Sequence, residues 1–176
     1  MKDTFLWLTL VLMLVFCFSN KKNNIISIVT RQLFVYKDAR NDRFYWKDII
    51  IFVFAPFIIS GIIVYGLEMI IPQSTIEQII TIVSIFFGLF LSFVGLLIPC
   101  INSNNDRVKY IKETFITTLF CMILSILILT YDVICLTIPE STYNHTIYSF
   151  INIVILCELM FCIFLLIKRI YNIFYD

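Results

Sequence analysis

Apolar and polar positions alternate along this chain in long blocks, not residue by residue. Four blocks are apolar for about 20 residues each, the length a helix needs to cross about 30 Å of hydrocarbon. They are 49–67, 79–98, 115–136 and 147–167. A shorter block, 5–18, precedes them. Polar connections separate the blocks, and two of these hold Pro72 and Pro139. No block alternates with the period of two that a half-buried strand requires. The pattern predicts an all-α fold: an integral membrane helical bundle of four transmembrane helices plus a short N-terminal hydrophobic helix, a possible fifth span. The chain divides into an N-terminal hydrophobic anchor (1–19), a basic segment (20–48) and the four-helix bundle (49–176).

Composition agrees with the blocks. The 176 residues are 61% hydrophobic and 14% charged, where a soluble domain carries about a quarter charged residues. That much apolar surface fits the lipid bilayer as partner. The net charge of +1 and the lack of a basic aromatic platform point away from direct nucleic-acid binding.

The distribution of charge sets the expected orientation. Lys21, Lys22, Arg31, Lys37, Arg40, Arg43 and Lys47 crowd the segment 20–48, and Arg107, Lys109 and Lys112 lie in 99–114. Lys168 and Arg169 close the last block, while 68–78 and 137–146 hold no Lys or Arg. Basic connections stay in the cytoplasm. Segment 20–48, connection 99–114 and the C-terminus are therefore expected inside, in a multi-pass protein of a bacterial inner membrane. Cleavage after 5–18 would export the basic segment, and "VFCFSNKKNN" lacks a small-x-small site. A fifth span with its N-terminus outside is favoured over an interfacial anchor. Within 20–48, Ile25, Ile28, Val29, Leu33 and Tyr36 recur at helical spacing. They predict a helix lying on the inner membrane surface or continuing the first span. Lys37, Arg40, Arg43 and Lys47 are the candidate contacts to a cytosolic protein partner or to acidic lipid.

Within the third block, "SIFFGLFLSFVG" places Ser84, Gly88 and Ser92 four residues apart, with Gly95 following. Small residues on one helix face let another backbone approach, which is how helices associate in lipid. Two partners fit this ridge. One is the fourth block, where Thr118, Cys121 and Ser125 also share a face. The other is a second copy of the chain, making a homo-oligomer. Phe86, Phe87, Phe90 and Phe93 are expected on other faces, toward lipid or wider gaps. Pro56 should bend the second block, a bend that membrane helices commonly tolerate.

Chemistry is sparse. Cys17, Cys100, Cys121, Cys135, Cys157 and Cys162 fall in or beside apolar blocks, where a free thiol acts as a small hydrophobe. Without a CxxC pair or a second His near His145, no metal site is expected, and no cofactor. No nucleophile elbow, zinc-protease or phosphate-loop pattern is present, so the chain reads as a non-enzyme. Two acids lie inside blocks: Glu158 near the middle of the last, and Asp132 toward the outer end of the fourth. An acid at mid-membrane costs about 2.5–3.5 kcal/mol on insertion scales, so it commonly has a partner or a role. For Glu158, a proton- or cation-sensitive element and a neutral interhelical hydrogen bond, shared with Asn152, with Thr or Ser side chains or with a second copy, are equally consistent. Asp132 is expected within reach of water.

The stretch "VYKDARNDRFYWKDIIIFVFAPFIISGII", followed by a short polar turn and a Phe/Gly/Ser-rich helix, resembles the small four-span membrane proteins of bacterial anti-phage defence systems. Membrane components of retron and Kiwa-type systems are examples. The likeness covers roughly residues 33 to 170, is architectural, and brings no catalytic motif. The resemblance implies a sensor or effector subunit at the inner membrane, acting by oligomerisation or membrane perturbation with a cytosolic partner. Two other classes fit the residues: an accessory or immunity subunit of a transporter or toxin system, and a small proton-coupled transporter centred on Glu158.

Overall fold

A computed structural model describes residues 25–35, 50–101, 108–137 and 145–175. The hydrophobic run 5–18 and the basic residues Lys37, Arg40, Arg43 and Lys47 lie outside the described residues. The described chain is helical, with no strand among the described residues. Helix α1 is Ile25–Val35. Helix α2 covers 50–66 in three continuous pieces: a π-helical turn Ile50–Phe54, an α-helix Ala55–Gly61 and a second π-helical turn Ile62–Gly66. Then come α3 (Gln73–Ile101), α4 (Val108–Thr137) and α5 (His145–Tyr175).

Three helices, α3 to α5, are long and apolar enough to cross a membrane. At 1.5 Å per residue each reaches about 43–47 Å, well beyond a hydrocarbon core of about 30 Å. They contain the expected spans 79–98, 115–136 and 147–167. The second block, 49–67, is described as a helix over nearly the same residues, 50–66. Its helix rises at most about 26 Å at α-helical pitch, and Phe52–Gly66 is an apolar helix of shorter class. Pro56 opens the α-helical piece at N1/N2, so its missing donor falls where the preceding π-helical turn hands over. The irregularity expected from Pro56 is a change of helix type. Ser60 Oγ donates to the Pro56 carbonyl at 2.7 Å.

The exit from α2 is tied off locally. Glu68 takes a left-handed backbone, φ 51°. The Leu67 and Met69 amides return to the Ile62 and Ile63 carbonyls at 3.0 and 3.2 Å, which satisfies carbonyls that a helix end leaves free. One link further, the Ile71 amide donates to Ser149 Oγ at 2.9 Å, fixing the connection to α5.

The long helices pack in chain order, α3 on α4 and α4 on α5, while α2 lies along α5 and α1 along α4. The buried face of α3 is Ile76, Val83, Phe90 and Leu97. That strict spacing of seven keeps one seam facing a neighbour in a left-handed crossing. Val83 and Phe90 meet Cys121, Leu124 and Ile128 of α4 and Leu159, Cys162 and Leu166 of α5. Phe90, expected toward lipid or a gap, is thus core, with Phe86 stacked on it at 6.1 Å between centroids. On the far side of α5, Phe52 meets Phe161 edge-on at 6.0 Å and Tyr65 meets Phe150 at 5.8 Å.

Candidate functional site

Polar side chains buried between the helices gather at two levels, separated by the apolar core. The first lies where α4 ends and α5 begins. Asp132 is wholly buried, with Asn152 and Tyr148 nearly so. The Tyr148 hydroxyl donates to Asp132 Oδ1 at 2.7 Å, and Asn152 Nδ2 donates both to Asp132 Oδ1 and to Tyr148 Oη, the latter at 2.9 Å. Tyr148 and Asn152 are one helical turn apart and share a face of α5. Tyr131 stacks on the Tyr148 ring with centroids 5.3 Å apart. Ile76, Cys135 and Tyr148 make the apolar wall, with Ile71, Ile80 and Leu136 against it. Such interhelical bonds contribute about 0.6 kcal/mol each on average and up to about 1.7.

The second level lies at the opposite end. Arg169 of α5 is buried, and one of its guanidinium nitrogens donates to the Glu113 carbonyl at 2.9 Å and to Thr117 Oγ1. The Thr117 hydroxyl lies 3.0 Å from Gln32 Oε1 and 3.0 Å from the Glu113 carbonyl. Gln32 is itself buried, at 2% exposure. Helix α1 is therefore held to α4 by a buried amide, a tertiary contact that its apolar spacing did not predict. Thr117 and Asp132, fifteen residues apart on α4, are separated by about 22 Å of helix rise.

Two expectations about the acids change. Asp132 is fully enclosed and takes Asn152 as a partner. Glu158 does not share Asn152. It is half-buried on α5, and among the described residues no hydrogen bond or ion pair reaches it. The small-residue ridge also falls elsewhere than on α4. Ser84, Gly88, Ser92 and Gly95 are all exposed on α3, and a Cβ built on Gly88 or Gly95 meets nothing within 4 Å. Ser84 and Ser92 donate to the Ile80 and Gly88 carbonyls of their own helix, at 2.7 and 3.0 Å. Thr118, Cys121 and Ser125 are buried, with both hydroxyls bonded within α4. The reason is the heptad seam: α3 buries its large residues on one face, which turns the small ones outward.

The sequence reading missed Tyr148, Gln32, Thr117 and Arg169. Arg169 looked like a terminal charge, and Gln32 sat among exposed polar positions. One usable signal existed for the first level. Asp132 and Asn152 stand at similar distances from the connection 138–144, so an antiparallel pair of helices brings them level. No group of three or more His, Cys, Asp or Glu side chains comes together among the described residues. What the arrangement offers chemically is hydrogen-bonded contact between helices and places where one proton can change that contact. Compared with known protein families, characterised proteins and solved structures, the chain finds no match.

Proposed function

We propose that the chain is a membrane-embedded sensor or effector subunit whose output is a movement of packed helices, driven through a cytosolic partner. The observation that carries this reading is the buried Gln32–Thr117–Arg169 node. It ties α1, which belongs to the basic segment, to two of the three long helices. A protein pulling on that segment would act on α4 and α5 directly. The positive-inside distribution puts this node on the cytoplasmic side of a bacterial inner membrane, with the C-terminus inside. Resemblance to small membrane proteins of anti-phage systems supplies the biological setting: the subunit would oligomerise or disturb the membrane when its partner signals. The apolar core between the two polar levels weighs against a continuous polar path, and so against the small-transporter reading.

The test uses growth arrest on overexpression, or phage protection with the neighbouring genes, for the wild type, Gln32→Leu and Arg169→Gln. Both variants should still insert and fold while losing most activity. Full activity in both would remove the node from the mechanism. Tags at residue 104 and at the C-terminus should be protected from an external reagent, and labelling of either from outside would overturn the orientation.

A further inference from the structure

We propose that Asp132 and Asn152 hold a single proton between them, Asp132 as a neutral acid donating from Oδ2 to Asn152 Oδ1, so that the α4–α5 contact is a proton-binding site. The inference comes from counting donors and acceptors in the buried cluster. Asn152 has two amide hydrogens and Tyr148 has one hydroxyl hydrogen. All three are used, two by Asn152 on Asp132 Oδ1 and Tyr148 Oη and one by Tyr148 on Asp132 Oδ1. Two atoms remain buried without a hydrogen-bond partner among the described residues: Asp132 Oδ2 and Asn152 Oδ1. Both are acceptors, and they belong to the two side chains that an amide-to-carboxyl bond already joins.

A proton added at Oδ2 removes both deficits. It converts one orphan acceptor into a donor for the other, which would close the paired ring that a carboxylic acid and a primary amide form around the existing Asn152 Nδ2–Asp132 Oδ1 bond. It also removes a negative charge that no Lys or Arg balances at this end of the helices among the described residues. The groups around Asp132 are Tyr131 and Cys135 on its own helix, Tyr148 and Asn152 on α5, and the apolar Ile71, Ile76 and Ile80 from the preceding connection and α3. Among the described residues, the other charged or titratable side chains at this end of the helices, Glu68, Glu77 and His145, are exposed. Among the described residues, every Lys and Arg lies at the other end of the helices. Only an O–H bond forms, with the proton drawn from water. Its loss leaves a carboxylate oxygen facing an amide oxygen, and that end of the α4–α5 contact loosens. Alkaline conditions are therefore the ones that open it. This holds whether or not a cytosolic partner exists.

Infrared spectra of the full chain in lipid vesicles test it. Glu158→Gln removes the other acid inside the expected spans, on α5, so a neutral-carboxyl carbonyl band left in that variant at neutral pH belongs to Asp132 on α4. The band should be present, give way to carboxylate absorption as pH is raised, and be indifferent to exchange of Na⁺ for choline. Asp132→Asn in the same background should abolish it. Because two amides can form the same ring, this double variant should also lose the alkaline fall in thermal stability shown by the Glu158→Gln protein. Carboxylate absorption alone at neutral pH would overturn the proposal in favour of a water bridging the two oxygens. A band that changes with Na⁺ would overturn it in favour of a bound cation. Should Asp132→Asn not fold, the pH titration of Glu158→Gln decides alone.

Discussion

Substitution at Gly88 separates a lipid-facing ridge from a seam between copies. Gly88 is exposed in the middle of α3, and its built Cβ meets nothing within 4 Å. Glycine inside a helix is about 1 kcal/mol less favourable than alanine. With no neighbour to displace, Gly88→Ala should stabilise the protein by about that amount. A branched side chain recovers less helix preference, so Gly88→Ile should gain about 0.5 kcal/mol. The contrast is Val83, on the buried seam at 2% exposure. In mixed micelles the side chains of the unfolded chain remain in detergent even as helix is lost, so the transfer term largely vanishes. The cost of Val83→Ala is then the lost close packing, about 1 kcal/mol. Equilibrium unfolding in mixed micelles, followed by helical circular dichroism, measures all three, and light scattering gives the particle size. The reasoning is refuted if Gly88→Ile destabilises by more than about 1 kcal/mol or shrinks the particle. Either result would mean that a second backbone covers the ridge.

Two further substitutions probe the acids. Asn152→Leu strips Asp132 of its amide and leaves buried polar atoms without partners, so the same unfolding assay should show a loss of about 1–3 kcal/mol. Glu158→Leu, at a half-buried position with no hydrogen bond among the described residues, should be neutral or stabilising, because it replaces an acid with an apolar side chain in an apolar setting. A larger loss for Glu158→Leu than for Asn152→Leu would reverse the ranking of the two residues.

The long helices were legible because crossing lipid demands only length and apolarity, and 79–98, 115–136 and 147–167 supply both. Block 49–67 met the same demand by composition, yet its helix is shorter. Two π-helical turns around Ala55–Gly61 shorten it, and apolarity carries no trace of them. The ridge at Ser84, Gly88 and Ser92 was visible, but its direction was not. Direction follows from which face the large residues of α3 choose, and Ile76, Val83, Phe90 and Leu97 decide that together with α4 and α5. Asp132 and Asn152 were each noticed singly. Their pairing is tertiary, and each looked ordinary without the turn that brings them level. Gln32 was overlooked for a related reason: burial of an amide depends on Thr117, which lies 85 residues away.

The pairing of α2 with α5 has a consequence for biosynthesis. Helix α4 meets α3 just made, and α5 meets α4, but α2 must wait for the last one. Translation at about 5–20 residues per second puts that wait at roughly 5–20 s for the intervening hundred or so residues. During it, α2 is without Phe161, Phe150 and Ser149 to hold it and its exit turn. A chain stalled or truncated before α5 would present α2 as an unpaired helix. The quality-control proteases of the membrane would therefore be expected to recognise incomplete chains at their N-terminal half, far from the break itself.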